Sequence, residues 1–219
     1  VPPSTDPEYD FNLFVWDAYA AIFPADWVRI DIGNSRQTFV IPQTVFRQIH
    51  LTTTNVGLDW RISQQVTAFV EPSYRTYSDS NARFATGERI EWAPPRLRFP
   101  YKDHNTITLF QTLEYLNFKK ELSHGYFNPD SYIQLMGGAR FFTNIGKRVS
   151  WMISAAMGSE RAKGGNWATT GAIETELQFK ISGNGYLKAG YVHSGSRLAA
   201  ADGFRAKGFY ITLDFYLPR

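Results

Sequence analysis

The 219-residue sequence has no cysteine and no apolar run that approaches the roughly 20 residues of a membrane-spanning helix. The absence of cysteine excludes disulfides, thiolate metal sites and cysteine nucleophiles. Histidine is scarce, and the residues His50, His104, His124 and His193 have none of the spacings of a metal-binding pair. The net charge is only +3, and no run of Lys and Arg forms a basic stripe, so the sequence does not predict a nucleic-acid partner.

Motifs of catalytic chemistry are missing as well. The sequence contains no P-loop, no GxSxG and no complete GxGxxG. His193 and Ser194 are adjacent, but neighbouring residues of a strand point to opposite faces and cannot form a nucleophile–base pair directly. The sequence therefore predicts a protein that is not an enzyme and that uses no cofactor and no metal.

Aromatic residues are abundant, at 16% of the chain, although the mean hydropathy is −0.31. Apolar and polar residues alternate with period 2 between clusters of Gly, Pro, Asn, Asp and Ser, which predicts about eleven β-strands. The predicted strands lie near 9–20, 26–38, 46–62, 65–78, 82–93, 104–118, 131–143, 149–160, 166–180, 185–194 and 204–217. Most exceed the five or six residues typical of soluble sheets. They match the roughly 9–11 residues of a tilted membrane strand instead.

The predicted connections alternate between short and long. This asymmetry is typical of bacterial outer-membrane barrels, which have short periplasmic turns and longer extracellular loops. The stretch "PPRLRFPYKD", residues 94–103, is an exception, because a short turn is expected there. We expect the long loops Ser35–Val45 and Lys119–Asp130 to gate the outer mouth.

Each strand carries two different faces. In the last strand, Phe209, Ile211, Leu213, Phe215 and Leu217 alternate with Gly208, Tyr210, Thr212, Asp214 and Tyr216. A half-buried strand of a soluble protein would alternate in the same way, but aromatic residues also group near the strand ends. Near the short turns lie Tyr19, Phe23, Trp27, Trp60, Trp92, Trp151, Phe179, Tyr186, Phe215 and Tyr216. Near the long loops lie Tyr74, Tyr77, Phe84, Tyr115, Phe118, Tyr132, Trp167 and Phe204. Two aromatic girdles around an apolar band are what a bilayer selects.

These patterns predict an all-β fold: a transmembrane, antiparallel, up-and-down β-barrel of the outer membrane. Residues 1–219 are expected to form a single barrel domain. If the last strand ends in the periplasm, the first begins outside, and single-chain bacterial barrels have even strand numbers. We therefore expect the chain to be the C-terminal part of a longer barrel of roughly 12–16 strands.

Taking the apolar face as the outer one assigns the charged side chains to a lumen. The candidate pore-lining residues are Arg29, Asp31, Arg61, Glu71, Arg75, Arg83, Arg89, Glu91, Glu114, Arg140, Glu174, Glu176, Lys188, Tyr210, Asp214 and Tyr216, with Asp59 and Glu160 on the same face. Basic and acidic residues nearly balance on the first five strands, whereas acidic residues dominate the later ones. These charges either create a field across the pore or merely solvate a wet lumen and pair across strands.

Four aromatic residues are also assigned to the lumen: Phe69, Phe110, Tyr210 and Tyr216. Rings in a polar channel can stack on sugar faces, or they can pack against a plug or an inward loop. The sequence leaves both interpretations open.

The string "GYFNPDSY", Gly125–Tyr132, resembles a motif of the C-terminal barrels of outer-membrane exopolysaccharide secretion proteins. This family includes the cellulose-export and poly-N-acetylglucosamine-export porins, whose barrels follow periplasmic tetratricopeptide repeats. "DWVRIDIGNSR" and "YSDSNARFATG" are similar to the hairpins of those barrels. The resemblance implies a loop motif made by Tyr126, Phe127, Pro129 and Tyr132. It also implies a barrel of about sixteen strands that exports a polysaccharide.

The predicted function is thus an exopolysaccharide export channel in the outer membrane of a Gram-negative cell. A general diffusion porin for small polar solutes and a barrel that anchors a surface complex are the alternatives. The expected partners are outer-membrane lipid and lipopolysaccharide, a polysaccharide or small solute, and a periplasmic repeat domain or second chain. The sequence contains no such repeats, and it ends in Leu-Pro-Arg rather than in an aromatic residue.

Overall fold

A computed structural model describes residues 15–38, 50–94, 106–120, 129–182, 185–195 and 207–215. Eleven β-strands account for most of these residues. They are β1 (Trp16–Ala25), β2 (Val28–Thr38), β3 (His50–Arg61), β4 (Val66–Tyr77), β5 (Ala82–Trp92), β6 (Thr106–Phe118), β7 (Ser131–Asn144), β8 (Val149–Ala162), β9 (Ala168–Lys180), β10 (Gly185–Ser194) and β11 (Lys207–Phe215).

The strands form one 11-stranded sheet in the order in which they follow along the chain. Every pair is antiparallel, so each strand lies beside its neighbours in sequence. The prediction of an all-β, antiparallel, up-and-down fold is confirmed. Among the described residues, no helix is long and apolar enough to cross a membrane.

The sequence placed most strands correctly, but the first strand is shifted. The structure runs β1 from Trp16 to Ala25 rather than over 9–20, and residues 9–14 lie outside the described part of the chain. The hairpin between β1 and β2 closes where Ala25 pairs with Val28. The register changes between Ile22 and Ala25, and such an irregularity accommodates a proline that cannot donate to the ladder.

The sheet has two chemically different faces, because side chains alternate along every strand. The apolar face consists mainly of aliphatic residues that are more than a third exposed: Ile32, Val56, Leu58, Ile90, Leu109, Leu135, Ile153, Met157, Ile173, Leu177, Ile211 and Leu213, with Phe209. An exposed apolar area of this extent marks contact with a membrane or with other protein. Glu88 is an exception on this face, since it pairs with Val70 and Leu113.

Aromatic residues border the apolar face at both ends. Exposed rings near the short connections belong to Trp27, Trp60, Trp92 and Phe179, and those near the long connections belong to Tyr74, Phe84, Tyr115 and Trp167. Five residues assigned to the girdles lie on the opposite face: Tyr19, Tyr77, Phe118, Tyr132 and Tyr186. Those assignments are wrong, because an aromatic residue near a strand end fits either face and only the register decides which one it occupies.

Candidate functional site: the polar face

The charged residues assigned to the lumen share one face of the sheet. Directly paired residues lie on the same face, and the pairing connects Asp31 to Gly57, Glu91 to Phe110 and Phe110 to Gly138. The polar face comprises Arg29, Asp31, Asp59, Arg61, Glu71, Arg75, Arg83, Arg89, Glu91, Glu114, Arg140, Glu160, Glu174, Glu176, Lys188, Tyr210 and Asp214. Tyr216 lies outside the described residues. That this face lines a pore stays a prediction.

A compact cluster lies on β1 and β2. The Arg29 Nε donates to Asp31 Oδ1 at 2.8 Å, and the hydroxyl of Tyr19 contacts both of these side chains. The Arg29 guanidinium also lies 5.9 Å from the ring centroids of Tyr19 and Phe23. The carboxylate and the rings together hold this guanidinium in place.

A groove of about 380 Å³ crosses the polar face from β3 to β6. Its lining includes Thr53, Glu71, Arg75, Arg83 and Thr112. Arg75 and Arg83 are direct cross-strand partners of like charge, and the Arg75 Nε donates to Thr53 Oγ1 at 2.9 Å. The side chain of Arg83 is buried. Two guanidinium groups are therefore concentrated at one end of the groove.

Next to this groove, Phe110 lies between two arginines of the flanking strands. The Arg89 Cζ is 5.1 Å from the ring centroid of Phe110, and the Arg140 Cζ is 5.8 Å from it. Glu91 pairs with both arginines, and its Oε1 lies 3.3 Å from Arg140 Nη1. The structure thus joins residues of β5, β6 and β7 into one unit, which we call the arginine–phenylalanine cluster (Arg89, Glu91, Phe110 and Arg140).

The later strands carry the acidic part of the polar face. The Tyr210 hydroxyl donates to Glu176 Oε2 at 2.9 Å and lies 3.5 Å from Glu174 Oε1. Lys188 Nζ lies 2.7 Å from Asp214 Oδ2. The carboxylates of Glu174, Glu176 and Asp214 therefore already have partners on other strands of the sheet.

Three of the aromatic rings assigned to the lumen lie over glycines of an adjacent strand. A Cβ added to Gly138 would meet Phe110 Cζ at 2.6 Å, and one added to Gly57 would meet Phe69 Cε2 at 3.6 Å. A Cβ at Gly190 would overlap the ring of Tyr210. Gly138 and Gly190 thus allow the rings of Phe110 and Tyr210 to lie close to the backbone of the sheet, whereas a Cβ at Gly57 would make only an ordinary contact with Phe69. Sequence reasoning missed this arrangement because it depends on register.

The polar face also carries a buried apolar cluster near the long connections. Leu51, Tyr77, Leu116, Phe118 and Tyr132 form it, and each is at most 6% exposed. Tyr77 and Phe118 make a tilted ring contact with centroids 5.9 Å apart. At this end, the polar face is therefore packed by apolar side chains and not lined by charge alone.

Tyr132 belongs to this cluster and also to a buried polar network. Its hydroxyl donates to Glu160 Oε2 at 2.5 Å, and Gln134 Nε2 lies 3.3 Å from the same carboxylate oxygen. Tyr132 is part of β7, whereas Pro129 is buried just before that strand. Tyr126 and Phe127 lie outside the described residues.

We expect Tyr132→Phe to lower the free energy of unfolding by about 1.5 kcal/mol, because it removes a hydrogen bond to the buried Glu160 side chain. Urea titration in lipid vesicles would measure the change. Tyr115→Phe is the matched control, since the Tyr115 side chain lies exposed on the apolar face. Equal stability of the two variants would contradict a structural role for the Tyr132 hydroxyl.

Within the described residues, no group of three His, Asp or Glu side chains is placed to hold a metal ion. The described side chains of the polar face offer ion pairing, hydrogen bonding and ring stacking. These interactions suit the recognition or passage of a polar molecule.

The sheet defines the class: an antiparallel, up-and-down β-protein with one polar and one apolar face. No protein-family model matches the chain, and no curated protein matches it either. Among solved structures, it is similar to a bacterial polysaccharide outer membrane secretin, with a TM-score of 0.72 and 14% sequence identity. The match covers 92% of this chain and 68% of that chain. At this identity the likeness is one of fold.

Proposed function

We propose that the chain forms part of the wall of an outer-membrane channel that exports a polysaccharide. The observation that carries the proposal is the two-faced sheet, with charges and aromatic rings on one side and exposed aliphatic residues on the other. In this arrangement the polar face lines the lumen and the apolar face meets lipid. The similarity in fold to a polysaccharide outer membrane secretin supports the same assignment.

The dimensions of the strands suit a bilayer. They are 9–14 residues long, and a tilted strand needs about 9–11 residues to cross the hydrocarbon core. Tryptophan and tyrosine rings prefer the interfaces of the membrane. The exposed Trp60 and Trp92 at one end and Tyr74 and Tyr115 at the other fit that preference.

A polysaccharide presents hydroxyl groups at its edges and C–H surfaces on its ring faces. The ion pairs and hydroxyls of the polar face can exchange hydrogen bonds with the former, and Phe69, Phe110 and Tyr210 offer surfaces for the latter. Because the rings of Phe110 and Tyr210 lie against glycines, a passing sugar meets surfaces that lose little entropy on contact. This combination favours a polymer over a small ion.

The resemblance of Gly125–Tyr132 to the barrels of exopolysaccharide secretion proteins supports an exopolysaccharide as the exported polymer. Under this proposal the partners are outer-membrane lipid, lipopolysaccharide and a periplasmic repeat domain, in the cell envelope of a Gram-negative bacterium.

Planar-bilayer conductance of the full-length protein tests the proposal, with neutral, acidic and cationic oligosaccharides added in turn. We expect an open conductance that one class of oligosaccharide blocks. A steady conductance that is indifferent to every sugar would identify a general porin instead. A folded, heat-modifiable protein without conductance would identify an anchoring barrel.

A further inference from the structure

We propose that Arg89 and Arg140, on the two sides of Phe110, bind the carboxylate of an acidic saccharide, such as a uronic-acid unit of the exported polymer. The proposal rests on the proposed function and names the substrate class. It concerns the arginine–phenylalanine cluster, where a planar ring and two planar cations lie on three consecutive strands.

The geometry presents both arginines to the space above the polar face. Their side chains are 31% and 30% exposed, although Arg89 Nε, Arg89 Nη2 and Arg140 Nε are themselves buried. Glu91 contacts both arginines and Phe110 lies within 6 Å of each, and these contacts restrict their rotamers. These contacts therefore hold the two guanidinium groups close to Phe110.

The charge of the cluster is not balanced internally. Two arginines face one carboxylate, Glu91, which leaves one positive charge. Arg89 Nε, Arg140 Nε and the neighbouring Thr112 Oγ1 make no hydrogen bond within the described residues. Arg89 and Thr112 are direct cross-strand partners, and both line the groove of about 380 Å³. One further carboxylate would neutralise the charge of the cluster, and the arginines would have to rotate for their buried donors to reach it.

Three acidic residues of the polar face already have side-chain partners. Glu176 accepts from Tyr210, Asp214 pairs with Lys188, and Glu160 accepts from Tyr132. A cation would have to displace these partners. The two arginines can instead bind an anion while they keep their ion pairs with Glu91.

The chemistry of the three groups matches one uronic-acid unit. A guanidinium binds a carboxylate through two parallel hydrogen bonds, which a lysine cannot reproduce. The Phe110 ring offers an apolar surface to the C–H face of the sugar that carries this carboxylate. A site of this kind distinguishes a uronic acid from a neutral sugar by charge and from a free anion by the ring contact.

The test is block of the conductance of the full-length channel by oligogalacturonate, compared with a neutral cello-oligosaccharide and with acetate at equal carboxylate concentration. We expect oligogalacturonate to block, and Arg140→Gln and Arg89→Gln each to weaken the block roughly tenfold. Arg140→Lys should recover only part of the block, because it keeps the charge and loses the paired donors.

Arg161→Gln is the matched control: its charge change is the same, but its guanidinium lies 5.0 Å from the Trp167 ring on the apolar face. Heat modifiability shows whether each variant folds. If a glutamine variant does not fold, Arg140→Lys still tests the site.

Three results would overturn the site and leave the export function standing. They are block by neutral or cationic sugars alone, equal block of all variants, and equal competition by acetate. Absence of any conductance would overturn the export function instead. In that case, calorimetric titration of the detergent-purified protein with oligogalacturonate decides the site: arginine-dependent binding upholds it, and no binding overturns it.

Discussion

Ile173→Arg should lower the free energy of unfolding by about 2–4 kcal/mol, because it places a charge near the middle of the apolar face. Ile173 lies centrally in β9, is 49% exposed, and pairs with Ala155 and His193. In water an exposed isoleucine would tolerate arginine at little cost, since surface substitutions usually change stability by about 0.5 kcal/mol or less. Urea unfolding in lipid vesicles, followed by tryptophan fluorescence, measures the difference.

The adjacent substitution Ala172→Arg is the matched control. Ala172 lies on the polar face, on the same side as Glu174, and pairs with Ala156 and Ser194. A cation there faces the polar side of the sheet and an acidic neighbour, so we expect a change much smaller than that of Ile173→Arg. Similar losses for the two variants, or none for Ile173→Arg, would contradict the assignment of the apolar face to lipid.

The sequence predicted the sheet well because its two strongest signals are local. Alternation with period 2 located the strands, and glycine, proline and asparagine marked their ends. The same alternation placed Arg89, Glu91 and Arg140 on one face, although these residues lie far apart in the chain. Antiparallel neighbours keep their faces in register, so a local pattern propagates across the whole sheet.

Contacts between strands could not be predicted in the same way. Tyr77, Phe118 and Tyr132 were assigned to a membrane girdle, whereas they pack with Leu51 and Leu116 on the polar face. Their spacing from polar residues of known face carried the information. Tyr77 lies two residues after Arg75, and Tyr132 two before Gln134, so each pair shares a face. The girdle assignment relied on the general enrichment of aromatic residues at membrane interfaces and did not use this spacing.

The aromatic–glycine contacts have the same physical origin. Phe110 and Gly138 are 28 positions apart and meet only because β6 and β7 pair in one register. A shift by one residue would bring Phe110 opposite a side chain of the other face. The arginine–phenylalanine cluster therefore depends on register as well as on residue type, which makes the glycine a direct test of its geometry.

Gly138→Val should lower the free energy of unfolding by about 3 kcal/mol, near the upper end of the usual range for overpacking. A Cβ at this position would lie 2.6 Å from Phe110 Cζ and 2.9 Å from Ala156 Cα, and it would overlap the carbonyl oxygen of Ala155. The backbone contacts cannot yield by a change of rotamer, so β7 and β8 must separate or the Phe110 ring must leave its place. Displacement of the ring should also weaken the block by oligogalacturonate.

Gly137→Val separates this effect from a general cost of replacing glycine in β7. The nearest atom to a Cβ at Gly137 is the Phe110 carbonyl oxygen at 4.0 Å, and the new side chain would extend from the apolar face. Valine also favours a strand over glycine, so this variant should be as stable as the parent or more stable, with an unchanged block. If both glycine variants lost stability equally, the cost would come from replacing glycine in the strand backbone. The contact between Phe110 and Gly138 would then not position the Phe110 ring.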